Sequence, residues 1–334
     1  MAGDERNSVS DVRWGILGTG GIASAFTTDL LATGLNVTAV GSRSEASARE
    51  FASRFGEPTA HGSYEALAAD PNVDAIYVAT PHPMHAKNAL LAIRAGKHVL
   101  VEKAFTVNER EAQTLADEAA AHDVAVMEAM WTRFLPHMVR IREMIAAGTL
   151  GDVRTVTANH YQRFPSDPKH RLNDPALGGG ALLDLGIYPI SFGIDILGLP
   201  TRVLASSSPT VTGVDRQTAV ILEHEGGRQS VSQFALDTAG PNVAMVLGTE
   251  ARIEIDRTWC TPTTFRVIDS NGEVMERYEH PVVSRGMQYQ ALEFERLITS
   301  GQRVSPLMPL AESVAIIGVL DEVRRQIGLT YPGE

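Results

Sequence analysis

One cysteine, Cys260, stands in 334 residues. A lone thiol cannot close an intrachain disulfide or build a cysteine-based zinc site, and it fits a reducing cytoplasm. It follows Trp259 and reads as a partly buried spectator. The ten histidines include no His-Glu-x-x-His pair, so no metal is expected. Basic residues are outnumbered, 29 Lys and Arg against 40 Asp and Glu, for a net charge of -11. Nucleic acid is bound by clustered Lys and Arg and is therefore not an expected partner. Crossing a bilayer takes about 18 to 20 apolar residues in a row. Residues 181–200 come nearest, but Asp184 and Asp195 interrupt them, so the stretch reads as a core helix and no membrane is expected. Residues 1–10 are polar and lack the apolar centre of a signal peptide; they are expected to form a flexible N-terminus.

What is present is an ordinary globular composition, 44% apolar and 21% charged, on a chain long enough for two domains. Up to residue 129 short apolar runs alternate with helical patterns. Strands are expected at 12–17, 36–40, 75–79, 98–101 and 124–128, with helices at 22–33, 44–55, 85–95 and 108–122. Runs such as IYVAT, HVLVE and VAVME are almost continuously apolar, the mark of parallel strands covered on both faces. The expected fold class is α/β, opening with a dinucleotide-binding Rossmann domain over 11–129 built on a parallel sheet. Beyond it VRTVTANHY, TAVILEH, RQSVSQFAL and ARIEIDR alternate apolar with polar residues. Residues 130–334 are expected to form a substrate-binding and dimerisation α/β domain. Its open sheet is largely antiparallel, with a helix over 181–197 and closing helices near 286–299 and 310–327.

The first strand runs into Gly18-Thr19-Gly20-Gly21-Ile22-Ala23, a match to G-x-G-x-x-G/A. Gly18 permits the tight strand-to-helix turn, Gly20 lets backbone approach a pyrophosphate, and Ala23 is small enough for close helix packing. The amides opening the following helix face the phosphates. About 20 residues further on, an NAD enzyme places a carboxylate on the adenine ribose. Here Gly41-Ser42-Arg43-Ser44 occupies the strand end. Ser42 and Ser44 can donate to a 2′-phosphate and Arg43 can pair with it, with Glu45 close behind as an opposing charge. NADP is therefore the expected cofactor, ahead of NAD.

Two further groups carry chemistry. Glu102-Lys103 ends the HVLVE strand, where an open parallel sheet faces its ligand crevice. Lys103 there can bridge a cofactor ribose and a substrate oxygen. Asp184 and Tyr188 lie four residues apart in a helical pattern and would share a face; a capping Asp beside a core Tyr is the competing reading of the pair. Together Lys103, Asp184 and Tyr188 suit hydride transfer to or from a carbonyl. The phenol would serve as acid or base, with its pKa lowered by the neighbouring ammonium. Thr80, Pro81, His82 and His85 follow the third strand beside the crevice. Trp131 and Arg133 follow the last strand and are placed with the cofactor-binding residues, and His160, Arg163, His170 and Arg171 are further candidates for substrate contact.

At these residues the chain resembles the glucose-fructose oxidoreductase and inositol dehydrogenase family, Gfo/Idh/MocA. The resemblance covers essentially the whole chain. It rests on GILGTGGIA at 15–23, ATPHPMHAKNA at 79–89, HVLVEKAF at 98–105 and GGGALLDLGIYPI at 178–190. With MWTRFLP at 130–136, the last segment looks most similar to the dihydrodiol dehydrogenase and NADP-dependent xylose dehydrogenase branch. The resemblance implies a Rossmann domain followed by an α/β domain whose open sheet packs against a partner, giving a homodimer or dimer of dimers. It implies that Lys103 contacts the nicotinamide ribose and assists catalysis, that Asp184 contacts substrate, and that Tyr188 is the acid/base. It implies that the loop at 80–85 lies along the cofactor. Ala104 stands where the family's Glu-Lys-Pro motif has proline, a residue that would fix the backbone after the lysine. The function expected is an NADP-linked oxidoreductase acting on a small sugar, polyol or dihydrodiol. A non-catalytic dinucleotide sensor on the same fold is the competing class, and an acid/base group is what a sensor has no need of. An enzyme that keeps its cofactor through both half-reactions is a third reading.

Overall fold

The first strand, β1 (Arg13–Leu17), is buried at its last four positions and pairs in parallel on both sides. It is the centre of a sheet that grows outward by strand-helix units, in a computed structural model that describes residues 12–334. The expected flexible segment 1–10 lies outside the described residues. From β1 the chain passes through α1 (Gly21–Ala32), β2 (Asn36–Gly41), α2 (Glu45–Ser53), β3 (Thr59–His61), α3 (Tyr64–Ala68) and β4 (Ala75–Val78). It continues with α4 (His85–Arg94), β5 (His98–Glu102), α5 (Glu109–Ala121) and β6 (Val126–Ala129). The six strands lie in the order β3-β2-β1-β4-β5-β6, all parallel. The order reverses between β1 and β4, and the crevice beyond the C-terminal ends of those strands is where an open sheet takes a ligand. β3 and α3 escaped the sequence reading because three and five residues are too short to show a period.

A helix α6 (Pro136–Ala146) leads to the second sheet. Its signal was present, since Pro136 opens the helix at a position that tolerates the missing N–H. The sheet consists of β7 (Val153–Tyr161), β8 (Pro200–Pro209), β9 (Asp215–His224), β10 (Gln229–Ala235), β11 (Ala244–Gly248), β12 (Ala251–Ile255), β13 (Phe265–Asp269) and β14 (Val274–Tyr278), in the order β14-β13-β12-β11-β7-β10-β9-β8. Only β7 and β10 pair in parallel, so the sheet is largely antiparallel, as expected. In β9 Thr218, Val220 and Leu222 are buried while Ala219 and Ile221 face outward. The helix α7 (Ile187–Leu197) lies against β7 and β10 and covers one face of the sheet. The stretch Pro175–Leu197 is apolar and long enough to cross a membrane by length and composition, but 89% of its most apolar 18 residues are buried inside the fold.

Two expectations are revised. The helix read over 181–197 is not uniform: a π-helical turn, Leu182–Gly186, precedes α7. Widened turns of this kind re-aim side chains and often sit at functional sites. The closing helices α8 (Gln288–Thr299) and α9 (Leu310–Ile327) do not stay with the second sheet. α8 packs on α1, and α9 packs on α5 as well as β8. Trp14 in β1 donates its indole N–H to Glu295 in α8 at 2.7 Å, and Asp29 in α1 accepts the Met287 amide at 2.8 Å. A boundary drawn at residue 130 therefore divides the chain but not the packing. Under these contacts Phe26 stacks on Tyr77 at 3.9 Å between ring centroids and meets Trp14 edge-on at 5.6 Å. All three rings are fully buried, which makes this aromatic layer a large part of the first core.

Candidate active site

Gly18 has φ +112°, and a Cβ there would sit 2.7 Å from the Ala79 carbonyl oxygen. Only glycine lets β1 and β4 approach so closely at the turn. A Cβ on Gly20 or Gly21 would meet no protein atom within 4 Å, so the space above these residues is open. Gly20 caps α1 without any side-chain hydrogen bond, and the first turn of α1 carries no acidic residue. The helix N-terminus thus presents free amides and a positive dipole end to that space. Thr19 and Ile22, flanking the pair, complete the loop. These residues fit a dinucleotide pyrophosphate.

At the end of β2, Ser42 is buried and Arg43 is exposed. Ser44 caps α2, its hydroxyl oxygen accepting the Ser47 amide at 3.4 Å. Glu45, the carboxylate that could compete for Arg43, is instead held by the Arg49 Nε at 3.0 Å. Arg43 reaches the Tyr64 phenol but, among the described residues, no carboxylate, so the Ser42-Arg43-Ser44 corner keeps its positive charge for a phosphate.

Lys103 follows β5. Its Nζ donates to the Asp184 carbonyl oxygen at 2.8 Å and lies 3.5 Å from Asp184 Oδ1. The same Nζ stands 5.0 Å from the centroid of the Tyr188 ring. Asp184 Oδ1 also receives both terminal nitrogens of Arg171 at 3.3 Å. The three residues expected to act together are thus gathered at one place, although Asp184 and Tyr188 meet through Lys103 and not as neighbours on one α-helical face. The π-helical turn lies between them. It is held by Asp215, whose Oδ2 accepts the Leu182 amide at 2.9 Å. Gly180, at φ +115°, has no room for a Cβ beside Asp215.

The charges settle as follows. Burial raises the pKa of Asp184, but Lys103 and Arg171 outweigh it and hold the carboxyl well below its usual range. Burial lowers that of Lys103, but Asp184, Tyr188 and Glu102 outweigh it and keep the ammonium protonated. Tyr188 departs from expectation. Burial pushes its phenol up to about 12, more than Lys103 pulls it down. The field of the ammonium falls mainly on Asp184, and the ring, buried on a helix in the core, loses more by desolvation. Trp131 donates its indole N–H to the Tyr188 hydroxyl at 3.0 Å. An indole nitrogen only donates, so the Tyr188 oxygen is the acceptor and its own proton remains to be given elsewhere. Tyr188 and Trp131 both line a cleft of about 760 Å³ that also takes in His160 and Gln162.

The segment after Lys103 is held from several sides. The Lys103 amide donates to Glu102 Oε2 at 3.2 Å and the Phe105 amide to Glu128 Oε1 at 3.1 Å. His85 reaches the Ala104 carbonyl oxygen through Nδ1 at 2.9 Å and the Thr80 carbonyl oxygen through Nε2 at 2.7 Å. The Lys103–Ala104 peptide is cis. Side-chain bonds therefore fix this backbone where the family motif has proline. Glu128 was not anticipated; it ends an apolar strand, and a buried carboxylate there is a signal that polar partners are waiting.

The other expected contacts fall into two groups. Pro81 and Thr80 lie at the crevice edge, with the Thr80 hydroxyl accepting from Asn88 at 3.2 Å. His82, buried, has its Nδ1 3.2 Å from the Gly178 carbonyl oxygen, and burial with the neighbouring His85 and Lys103 charges pushes its pKa down to about 3. It is a neutral brace between two loops. Glu102 and Arg133, expected on the cofactor, are turned inward. Glu102 accepts the Tyr77 hydroxyl, and burial raises its pKa to about 7 despite Lys103. Arg133 is spent on Ser191 at 3.1 Å and Glu312 at 2.7 Å. Sequence neighbourhood alone suggests an arginine facing the site, but the 3-10 turn Trp131–Phe134 sets successive side chains about 120° apart, so Trp131 and Arg133 leave it in different directions. Arg171 does the reverse: it came from a loop with no decisive spacing and reaches the centre. Cys260 is buried, more fully than expected, and burial lifts its thiol to about 12. Among the described residues, no three His, Cys, Asp or Glu side chains come together as a metal site.

Comparison with known proteins agrees with this layout. Residues 12–130 match the oxidoreductase family with an NAD-binding Rossmann fold, and residues 138–254 match the GFO/IDH/MocA C-terminal domain. The trans-1,2-dihydrobenzene-1,2-diol dehydrogenase of Mus musculus is 39% identical over 336 residues, spanning 96% of this chain and 98% of that protein. The D-xylose 1-dehydrogenase (NADP(+)) of Hypocrea jecorina is 35% identical, spanning 96% and 93%. A 3-ketoreductase from Actinomadura kijaniata, solved in complex with NADP and TDP-benzene, superposes with a TM-score of 0.84 at 26% identity, covering 95% of this chain and 98% of that one. Both halves of the fold and nearly the whole length of these relatives are matched, and the chain belongs to the Gfo/Idh/MocA oxidoreductase family.

Proposed function

We propose that this chain is an NADP-linked dehydrogenase or reductase acting on a CH–OH or carbonyl group of a small hydroxylated compound. The observation that carries the reading is the Tyr188 hydroxyl: it accepts from Trp131, keeps its own proton, and faces a cleft beside a paired Lys103 and Asp184. The relatives named above act on diols and sugars, and NADP accompanies two of them.

When bound, the nicotinamide supplies or accepts the hydride. The glycine loop and the α1 amides hold its pyrophosphate, and Ser42, Arg43 and Ser44 meet the adenosine 2′-phosphate. Lys103 has three donors and gives two of them to Asp184. The third is left to orient a substrate or ribose oxygen. Asp184, always ionised, fixes the ammonium in place. In the reductive direction Tyr188 gives its proton to the developing alkoxide, and a phenol at about 12 is fully protonated throughout the neutral range. In the oxidative direction the same oxygen must take a proton, so the rate follows the small phenolate fraction upward with pH.

The experiment is a titration with NADPH and with NADH, read by nicotinamide fluorescence, followed by turnover of diols, aldoses and cyclitols with wild type and Tyr188→Phe. Binding of NADPH with turnover that collapses in the variant supports the reading. Binding without turnover of any alcohol or carbonyl would favour a dinucleotide sensor.

We further propose that the protein works in a reducing cytoplasm as a homodimer or dimer of dimers, free of membrane and nucleic acid. Its support is the buried thiol and the uncovered face of the second sheet, where Leu204 and Ile221 are exposed.

A further inference from the structure

The cleft beside Tyr188 departs from the rest of the molecule in its charge. The chain carries 40 acidic and 29 basic residues, yet the cleft is lined by Arg163, Arg257 and Arg285 and by no Asp or Glu. The three come from separate places: the end of β7, the loop after β12, and the approach to α8. Among the described residues, none of their guanidinium groups meets a carboxylate within ion-pair distance.

The neighbouring carboxylates are engaged elsewhere. Asp237, opposite Arg163 in an isolated bridge, faces Arg216 at 3.8 Å. Asp256, next to Arg257, accepts the Thr264 hydroxyl at 2.6 Å. Asp29, whose oxygen lies 3.4 Å from the Arg285 amide, is used by the Ser284 hydroxyl and the Met287 amide. By contrast Arg133, Arg142 and Arg324 are each paired with acids. Arg285 also has a defined place: its guanidinium stands 5.9 Å from the Trp131 ring centroid, and Trp131 holds the Tyr188 hydroxyl. One of the three cations is thus two contacts from the reacting proton.

A concave wall of one sign focuses its field and concentrates counter-ions. Guanidinium groups match the planar oxygens of carboxylate and the oxygens of phosphate. A neutral diol or pentose could take single hydrogen bonds from these groups but would leave their charge uncompensated. Resting on the oxidoreductase reading of the same site, we propose that the natural substrate carries an anionic group, a carboxylate or phosphate ester. That group docks on Arg163, Arg257 and Arg285 while the hydroxyl-bearing carbon lies at Tyr188.

The test is turnover by the NADP-loaded enzyme of glucuronate, galacturonate and glucose 6-phosphate beside their neutral parents, glucose and galactose. The expected result is a kcat/KM for at least one acid about thirtyfold or more above its parent, with the ratio falling about tenfold in Arg257→Ala or Arg163→Ala. Both are exposed residues, so their variants should fold. The preference should also shrink as KCl is raised. A uronate preference selects carboxylate and a 6-phosphate preference selects phosphate. Parents turned over as well as the acids, or a ratio unmoved by the arginine variants, overturns the proposal. If no compound in the panel is turned over, failure of the acids to bind the NADPH-loaded protein more tightly than their parents overturns it equally. Turnover of neutral sugars that is lost in Tyr188→Phe would leave the oxidoreductase reading intact while removing the acid; absence of NADPH binding would remove both.

Discussion

The two ends of the site are built on different principles. Around Lys103 the side chains are buried and paired: Lys103, Asp184, Tyr188, Trp131, His85 and Glu128 hold one another or nearby backbone within the protein. At the Ser42-Arg43-Ser44 corner and the glycine loop, the protein leaves amides open and, among the described residues, a guanidinium without a carboxylate partner. The reaction end is set before any ligand arrives, which is what electrostatic stabilisation of a developing charge requires. The dinucleotide end is completed by the ligand itself. Substitutions at the first should strike turnover, and those at the second should strike affinity.

The sharpest way to break that contrast is Tyr188→Phe. It removes the proton donor and should lower kcat about a hundred- to ten-thousandfold. NADPH affinity should stay within about twofold in fluorescence titration. For the wild type, oxidation should rise about tenfold per pH unit from roughly pH 7 to 10, because phenolate is the scarce form below about 12. Reduction should show no such slope, and an oxidation profile that is flat in this range would remove Tyr188 as the base.

Lys103→Met should cost kcat about a hundred- to a thousandfold. It strands Asp184 with only Arg171, so thermal stability should fall too; a drop in Tm without loss of turnover would make Lys103 structural. At the other end, Arg43→Ala should weaken NADPH about ten- to a hundredfold while NADH moves less than twofold, which equilibrium titration can read directly. An equal loss for both cofactors would mean that Arg43 does not meet the 2′-phosphate. Smallest of all, Trp131→Phe removes one hydrogen bond to the Tyr188 oxygen and should slow turnover only a few-fold. A loss as large as that of Tyr188→Phe would show that the indole takes part in more than orientation.

The same contrast explains what could be read in the sequence. The dinucleotide end is local: Gly18 to Ala23 and Ser42 to Ser44 sit one βα unit apart, and glycine spacing after an apolar run carries the information. The reaction end is assembled from distance. Lys103 and Asp184 are 81 residues apart, and no period connects them; the chemistry their residue types can supply groups them, and the family resemblance adds to it, but spacing does not. Glu102 and Arg133 were misplaced because a polar residue beside a site can turn either way, and only packing decides. Tyr188 was misjudged in sign for the same reason, since burial is a property of the fold and the charge pattern alone showed only Lys103. Arg171 lay in a segment with no regular structure to aim it.

The indole of Trp14 and the carboxylate of Glu295 are separated by 281 positions. On a ribosome that emits the chain from its N-terminus, the β1–β6 sheet leaves the tunnel long before α8 exists. During that interval the side of β1 and α1 that α8 later covers is wet, and Trp14 has no partner for its N–H. Half-made chains are therefore expected to be sticky and to draw on chaperones until the last segment arrives. A nascent-chain proteolysis series, stalled at successive lengths, should show resistance of the N-terminal sheet appearing late, after residue 295 has cleared the exit.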